Sequence, residues 1–287
     1  MMLIADSQVH IWEPETPESP WIPGGMERLK HMQHRIEPIG YEELKDMMDA
    51  AGVTRAMLCP PTWENNRNDL SIEASRRYPD RFGVMARLPI QRPEQARRLF
   101  LDWRRNEPGI KGVRFTFSFE NEVAWPKDGT WDWYWPFAEE HDIPTMLLLP
   151  DAKPQLIEML TRHPGARVAI DHMGIRGGKK GAAIEPYIAD TEALAAFPNV
   201  SVKLSNIPSF STGSAPYNDL YPYVERLVKA FGSRRCFWGT DLSRMIGAYG
   251  MGYEDAVAHL RGMPFLTEED KEWILGRGLC EWLRWPA

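Results

Sequence analysis

The chain is poor in cysteine. Its 287 residues hold three, Cys59, Cys236 and Cys280, far apart and without a Cys-x-x-Cys pair. That excludes a disulfide framework and a zinc ribbon, and it fits a reduced, cytoplasmic setting. Long hydrophobic runs are missing as well. None approaches the roughly 20 residues of a membrane helix, so no membrane partner is expected. The chain opens into a strand-like run with an acid at Asp6, which is not the pattern of a signal peptide. Positive charge is in deficit, with a formal net charge of −6. This argues against nucleic acid as a partner but leaves room for a local basic pocket that takes an acidic small molecule. The stretch Gly177-Gly178-Lys179-Lys180-Gly181 lacks the Gly-Lys-Ser/Thr ending of a phosphate loop.

What is present is a regular alternation. With 43% hydrophobic and 26% charged residues the chain can bury a large core. Strand-type runs open at Leu3 and recur at 53–59, 82–88, 110–115, 143–149, 166–172, 200–205 and 236–241. Helical patterns separate them at 41–51, 69–78, 94–105, 154–162, 187–197 and 220–231, with two more at 255–260 and 268–283. Strands alternating with helices imply parallel pairing, and eight of them predict one α/β domain, a single (β/α)8 TIM barrel over residues 1–287. An open doubly wound sheet is the alternative, but the glycine-rich turn it usually needs after the first strand is absent. Residues 13–40 are rich in Pro, Gly and Trp and show no periodicity. They read as a long functional loop on which His31 and His34 are exposed.

Barrel active sites lie at the C-terminal ends of the strands. Gln8 and His10, two apart, point to one side of the first strand. Later strand ends contribute Asn65 or Asn66, Arg87, Arg114, Asp171, His172, Lys203, Ser205 and Asp241. Asp171, next to His172, is expected to point the other way and to be structural. Trp12 and Trp63 are candidates for walling a ring-shaped substrate.

Asp-x-Gln-x-His-x-Trp, Lys-Gly-Val-Arg-Phe, Ile-Asp-His-Met-Gly, Val-Lys-Leu-Ser and Trp-Gly-Thr-Asp occur in this order along nearly the whole chain. The ordered set resembles the amidohydrolase-related family of TIM-barrel hydrolases, and within it the lactonase branch. That resemblance implies hydrolysis of a cyclic ester of a carboxylated sugar acid or aromatic-degradation intermediate. The family pattern begins His-x-His, and many metal-dependent relatives carry a histidine on the fifth strand. Here Gln8 stands at the first position, and the fifth strand ends Met146-Leu147-Leu148-Leu149.

Glutamine is a poor zinc ligand, and zinc catalysis needs about three strong ones. The expectation is therefore a site that requires no cofactor. A divalent metal at His10, His172 and Asp241 is the alternative, with a metal-dependent hydrolase or decarboxylase, a lactone isomerase or a non-catalytic acid-binding barrel as rival functions. In the metal-free reading Asp241 is the general base. Gln8, His10 and His172 donate hydrogen bonds to the lactone carbonyl. Arg114, with Arg87 or Lys203 as second choices, binds a substrate carboxylate, and Ser205 adds a polar contact. The Trp- and Pro-rich loop would suit a homodimer contact.

Overall fold

A computed structural model describes residues 2–64, 66–117 and 120–286, with the side chains of 120 and 121 left out. Its eight strands are β1 (Ala5–Val9), β2 (Arg55–Leu58), β3 (Phe82–Ala86), β4 (Ile110–Thr116), β5 (Thr145–Leu148), β6 (Val168–Ile170), β7 (Val200–Ser205) and β8 (Cys236–Gly239). They lie in one sheet in sequence order, each neighbouring pair parallel. With helices on the connections this is the single (β/α)8 barrel expected from the alternation.

The helices follow from local chemistry. Pro93 starts the helix Pro93–Asn106, where its missing N–H costs nothing, and Ala96, Phe100 and Trp103 bury one face of it. Gly52, at φ 68°, closes Tyr41–Ala51.

Alternate strand residues fill the interior. Ala5, Met57, Met85, Met146, Ala169 and Phe237 form an apolar plug, which Leu279, Cys280, Leu283 and Trp285 cap from the C-terminal helix. Above the plug the inward positions turn polar. The same period that puts Ala169 inward puts Asp171 inward two residues later.

The ring closes between β1 and β8 through a side chain. Asp6 Oδ1 accepts from the backbone N–H groups of Gln8 and Thr240, each at 2.9 Å, and its other oxygen takes the Thr240 hydroxyl. Asp241 N–H adds a bond to Gln8 O at 2.8 Å. Burial pushes the Asp6 carboxyl up to about 6, against the opposing hydrogen bonds from Thr240 and Gln8. Gly239 is required at this seam because a Cβ there would stand 2.6 Å from Ser7 Oγ and 3.2 Å from Gln8 Cβ.

Two helices were not apparent in the pattern. Gly25–His31 lies inside the stretch read as loop, and Leu242–Tyr249 follows β8 directly. The sixth and eighth strands are also shorter than expected. His172 (φ 52°), Met173 (φ 56°) and Asp241 (φ 58°) all adopt the left-handed conformation, which ends a strand at once. Among the described residues no helix is long and apolar enough to cross a membrane.

Candidate active site

A cavity of about 450 Å³ opens at the C-terminal mouth, lined by His10, His34, Trp63, Arg114, His172, Asp241 and Arg244 among others. Asp241 lies at its floor. His10 Nε2 is 3.3 Å from Oδ1 and His172 Nε2 is 3.9 Å from Oδ2. Oδ1 is buried and receives no aligned hydrogen bond. Burial alone would raise this carboxyl. The surrounding imidazoles of His10, His34 and His172 outweigh that and hold it well below the usual carboxylate range. Left-handed backbone at a non-glycine residue costs of order 1–3 kcal/mol and concentrates at functional sites. Both Asp241 and His172 carry it.

Each imidazole is held from behind. His10 Nδ1 is 2.5 Å from Cys59 O, a carbonyl that can only accept, so Nδ1 carries the hydrogen. Gln8 turns its amide nitrogen to His10 Nε2, at 3.2 Å, because its Oε1 is taken by the Lys203 ammonium. His172 Nδ1 meets Ser205 Oγ at 2.9 Å, and the same oxygen accepts the His172 N–H at 3.2 Å. Burial lowers His172 to about 4 despite Asp241 and Asp171 nearby, so the ring is neutral at ordinary pH.

His34 corrects the sequence reading most. It is 6% exposed, not a surface histidine. Its Nδ1 bonds Ser243 Oγ at 2.8 Å, and its ring stands edge-on to His10 and Trp63 at 5.5 and 5.0 Å. Burial lowers it to about 3. Gly247 makes the seat possible, because a Cβ there would lie 2.6 Å from Gln33 O and from His34 C. No local pattern around His34 signals this, since Ser243 and Gly247, which seat it, lie more than two hundred residues away.

Several expected contacts to substrate are instead structural. Asp171 points inward, not away, because strand alternation carries it from Ala169. It pairs with Arg114 Nε at 2.7 Å and Lys203 Nζ at 2.8 Å. Those two cations outweigh its burial and hold its carboxyl far below the ordinary range. Lys203 is fully buried and does not reach the cavity. Gln8 faces His10 and Lys203 rather than the cavity, so it is no donor to a carbonyl. Ser205 touches His172, and Trp12 packs edge-on to Trp63 at 5.3 Å beneath the wall. Arg87 lines an adjoining cavity of about 420 Å³ with Asn66 and Glu122, which shares Arg114, Thr62 and Thr116 with the first. Burial lowers Arg87 to about 10, with the Glu122 charge opposing. Asn65 lies outside the described residues. His10, His172, Asp241, Arg114 and Trp63 do line the main cavity.

The donors do not fit a divalent ion in this arrangement. A buried ammonium, Lys203, already stands at Gln8 Oε1 and 3.4 Å from Met146 Sδ, between the strand positions where two histidines would be needed. A second cation beside it would be repelled. Among the described residues no group of three or more His, Cys, Asp or Glu side chains is spaced to hold a metal.

A strand-end acid and buried imidazoles at the mouth of a (β/α)8 barrel define a hydrolase of the amidohydrolase type. The amidohydrolase family profile matches residues 5–277, and the chain belongs to that family. It is 26% identical to an L-fucono-1,5-lactonase of Burkholderia ambifaria over 254 residues, 85% of this chain and 82% of that one. A Burkholderia multivorans amidohydrolase with bound zinc superposes with a TM-score of 0.80 at 20% identity, covering 99% of this chain and 100% of that one. A probable 2-pyrone-4,6-dicarboxylic acid hydrolase of Acinetobacter baumannii with citric acid bound gives 0.77 at 18% identity, again covering 99% and 100%.

Proposed function

We propose that this protein hydrolyses a lactone without a metal ion, with Asp241 as general base. The observation that carries the reading is the Asp241 carboxylate, ionised, ringed by His10 and His172 and lining the cavity at the barrel mouth. The likeness to a curated lactonase supports the same reaction class.

Water held on the Asp241 carboxylate where it lines the cavity attacks the lactone carbonyl and gives its proton to Asp241. The carbonyl oxygen becomes an oxyanion, stabilised by N–H groups of the neutral His172 and His34. Each such donor contributes on the order of a hundredfold or more to kcat. Collapse breaks the ring C–O bond, and Asp241 returns its proton to the leaving alkoxide. The product is the open hydroxy acid.

His10 differs from the role expected of it. With Nδ1 on Cys59 O and Nε2 set between the Gln8 amide at 3.2 Å and Asp241 Oδ1 at 3.3 Å, both ring nitrogens are engaged away from a carbonyl. It positions Asp241 instead.

The test is a lactone panel assayed with and without a chelator, with product analysis. Hydrolysis that survives chelation and is lost in Asp241→Asn is the expected result. Activity restored only by a stoichiometric transition metal would overturn the metal-free mechanism. An isomeric lactone as product would replace hydrolysis by isomerisation.

A further inference from the structure

The charges around the cavity do not balance. At its base two carboxylates, Asp171 and Asp241, face two permanent cations, Lys203 and Arg114. At the rim Arg176 is paired with Asp151. His34 and His172 are neutral. That leaves Arg244.

Arg244 lines the main cavity from the first turn of the helix Leu242–Tyr249, its backbone N–H on Asp241 O at 2.8 Å. Its Nε is buried and has no hydrogen-bond partner, and no carboxylate lies within ion-pair distance of its guanidinium among the described residues. Asp241, three residues before it on the same wall, does not pair with it. Arginine presents its Nε–H and one Nη–H as a fork that matches the two oxygens of a carboxylate. Its two Nη groups offer an equivalent fork end-on.

We propose that Arg244 binds a carboxylate of the substrate through the end of its guanidinium, so the preferred substrate is an anionic lactone, one that keeps a free carboxylate beside its cyclic ester. This rests on the lactonase reading and narrows it. Arg244 then selects against neutral aldonolactones, which offer only a hydroxymethyl group where the acid should be. It also replaces Arg114, Arg87 and Lys203 as the anchor. Arg114 and Lys203 are committed to Asp171, and Arg87 faces the neighbouring cavity.

Matched lactone pairs test this: glucaro-1,4-lactone against glucono-1,4-lactone, and the same pairs in the galacto and manno series. Each member differs only in a carboxylate or a hydroxymethyl at the end of the chain. The wild type is expected to favour the acid member by about 10- to 100-fold in kcat/KM in its best series. Arg244→Met should collapse that ratio, chiefly through KM, and Arg244→Lys should recover part of it, since it restores charge but not the fork. An unchanged unfolding midpoint in Arg244→Met separates a lost contact from a lost fold.

A wild type that prefers the neutral members, or a ratio that Arg244→Met leaves as it was, overturns the proposal while leaving the lactonase reading intact. If no lactone is turned over, the lactonase reading fails. The anchor is then judged by calorimetry with glucarate and gluconate: tighter binding of glucarate, lost in Arg244→Met, upholds it, and equal binding overturns it.

Discussion

Two carboxylates stand a few residues beyond the ends of β6 and β8, both buried and both held ionised, yet they are built for different ends. Asp171 is saturated: Arg114 and Lys203 occupy both of its oxygens, and it is sealed from the cavity. Asp241 is surrounded by imidazoles and lines the cavity. Permanent cations fix a charge in place, whereas imidazoles can share a proton with it. The surroundings of an acid, more than its burial, separate a structural group from a chemical one.

The sharpest way to break this comparison is to neutralise each acid in turn. Asp241→Asn should lower kcat by about a thousandfold or more, within the range for general-base loss, while the melting temperature stays within a few degrees of wild type. Asp171→Asn should do the reverse in kind. Removing one partner of a buried ion cluster costs roughly 3–5 kcal/mol, so urea unfolding should shift strongly. If instead the two variants lose stability and activity alike, the distinction between the two acids is wrong.

A third expectation concerns pH. His34 and His172 have folded values lowered from 6.5 to about 3 and about 4. The unfolded chain therefore binds protons first as pH falls. The stability these rings contribute is complete above about pH 6.5 and is lost progressively toward pH 3–4. Asp6, raised from 3.8 to about 6, acts in the opposite direction, gaining stability as pH drops through 6. Glu64, raised by burial from 4.5 to about 7, acts as Asp6 does, so two acids offset two rings and the urea midpoint should change little between pH 7 and pH 4.5. In His34→Gln one ring is gone, and the midpoint should rise as pH drops over the same interval.

The smallest effect is expected at Ser205, which touches His172 and no part of the cavity. Ser205→Ala should lower kcat about tenfold with little change in KM, since it loosens the orientation of a ring without removing it. A change confined to KM would mean that Ser205 contacts substrate after all.

Much of this was legible in the sequence, for a physical reason. The barrel shows because apolar runs and amphipathic helices repeat with their own periods, and His10, His172 and Asp241 show because they end strands. What did not show depends on contacts distant in sequence. His34 is buried by Ser243 and Gly247, and Arg244 sits on a short helix that only the left-handed turn at Asp241 sets in place. Asp171 was read as pointing outward because alternation was counted from His172, whose positive φ breaks the count. Lys203 and Gln8 look like site residues at strand ends, but a strand end lies at the cavity only if no neighbouring side chain covers it.

The seam between β1 and β8 has a consequence for the order in which the protein comes into being. The bonds that close the ring, Asp6 to Thr240 and Gln8 to Asp241, are the ones that bring His10 up to Asp241. During synthesis the first strand leaves the ribosome more than two hundred residues ahead of its partner. Until residue 241 arrives it has neither a neighbour on that side nor a carboxylate to position. Closure of the fold and birth of the active site are one event, so a chain stalled before its last strand is inert rather than partly active.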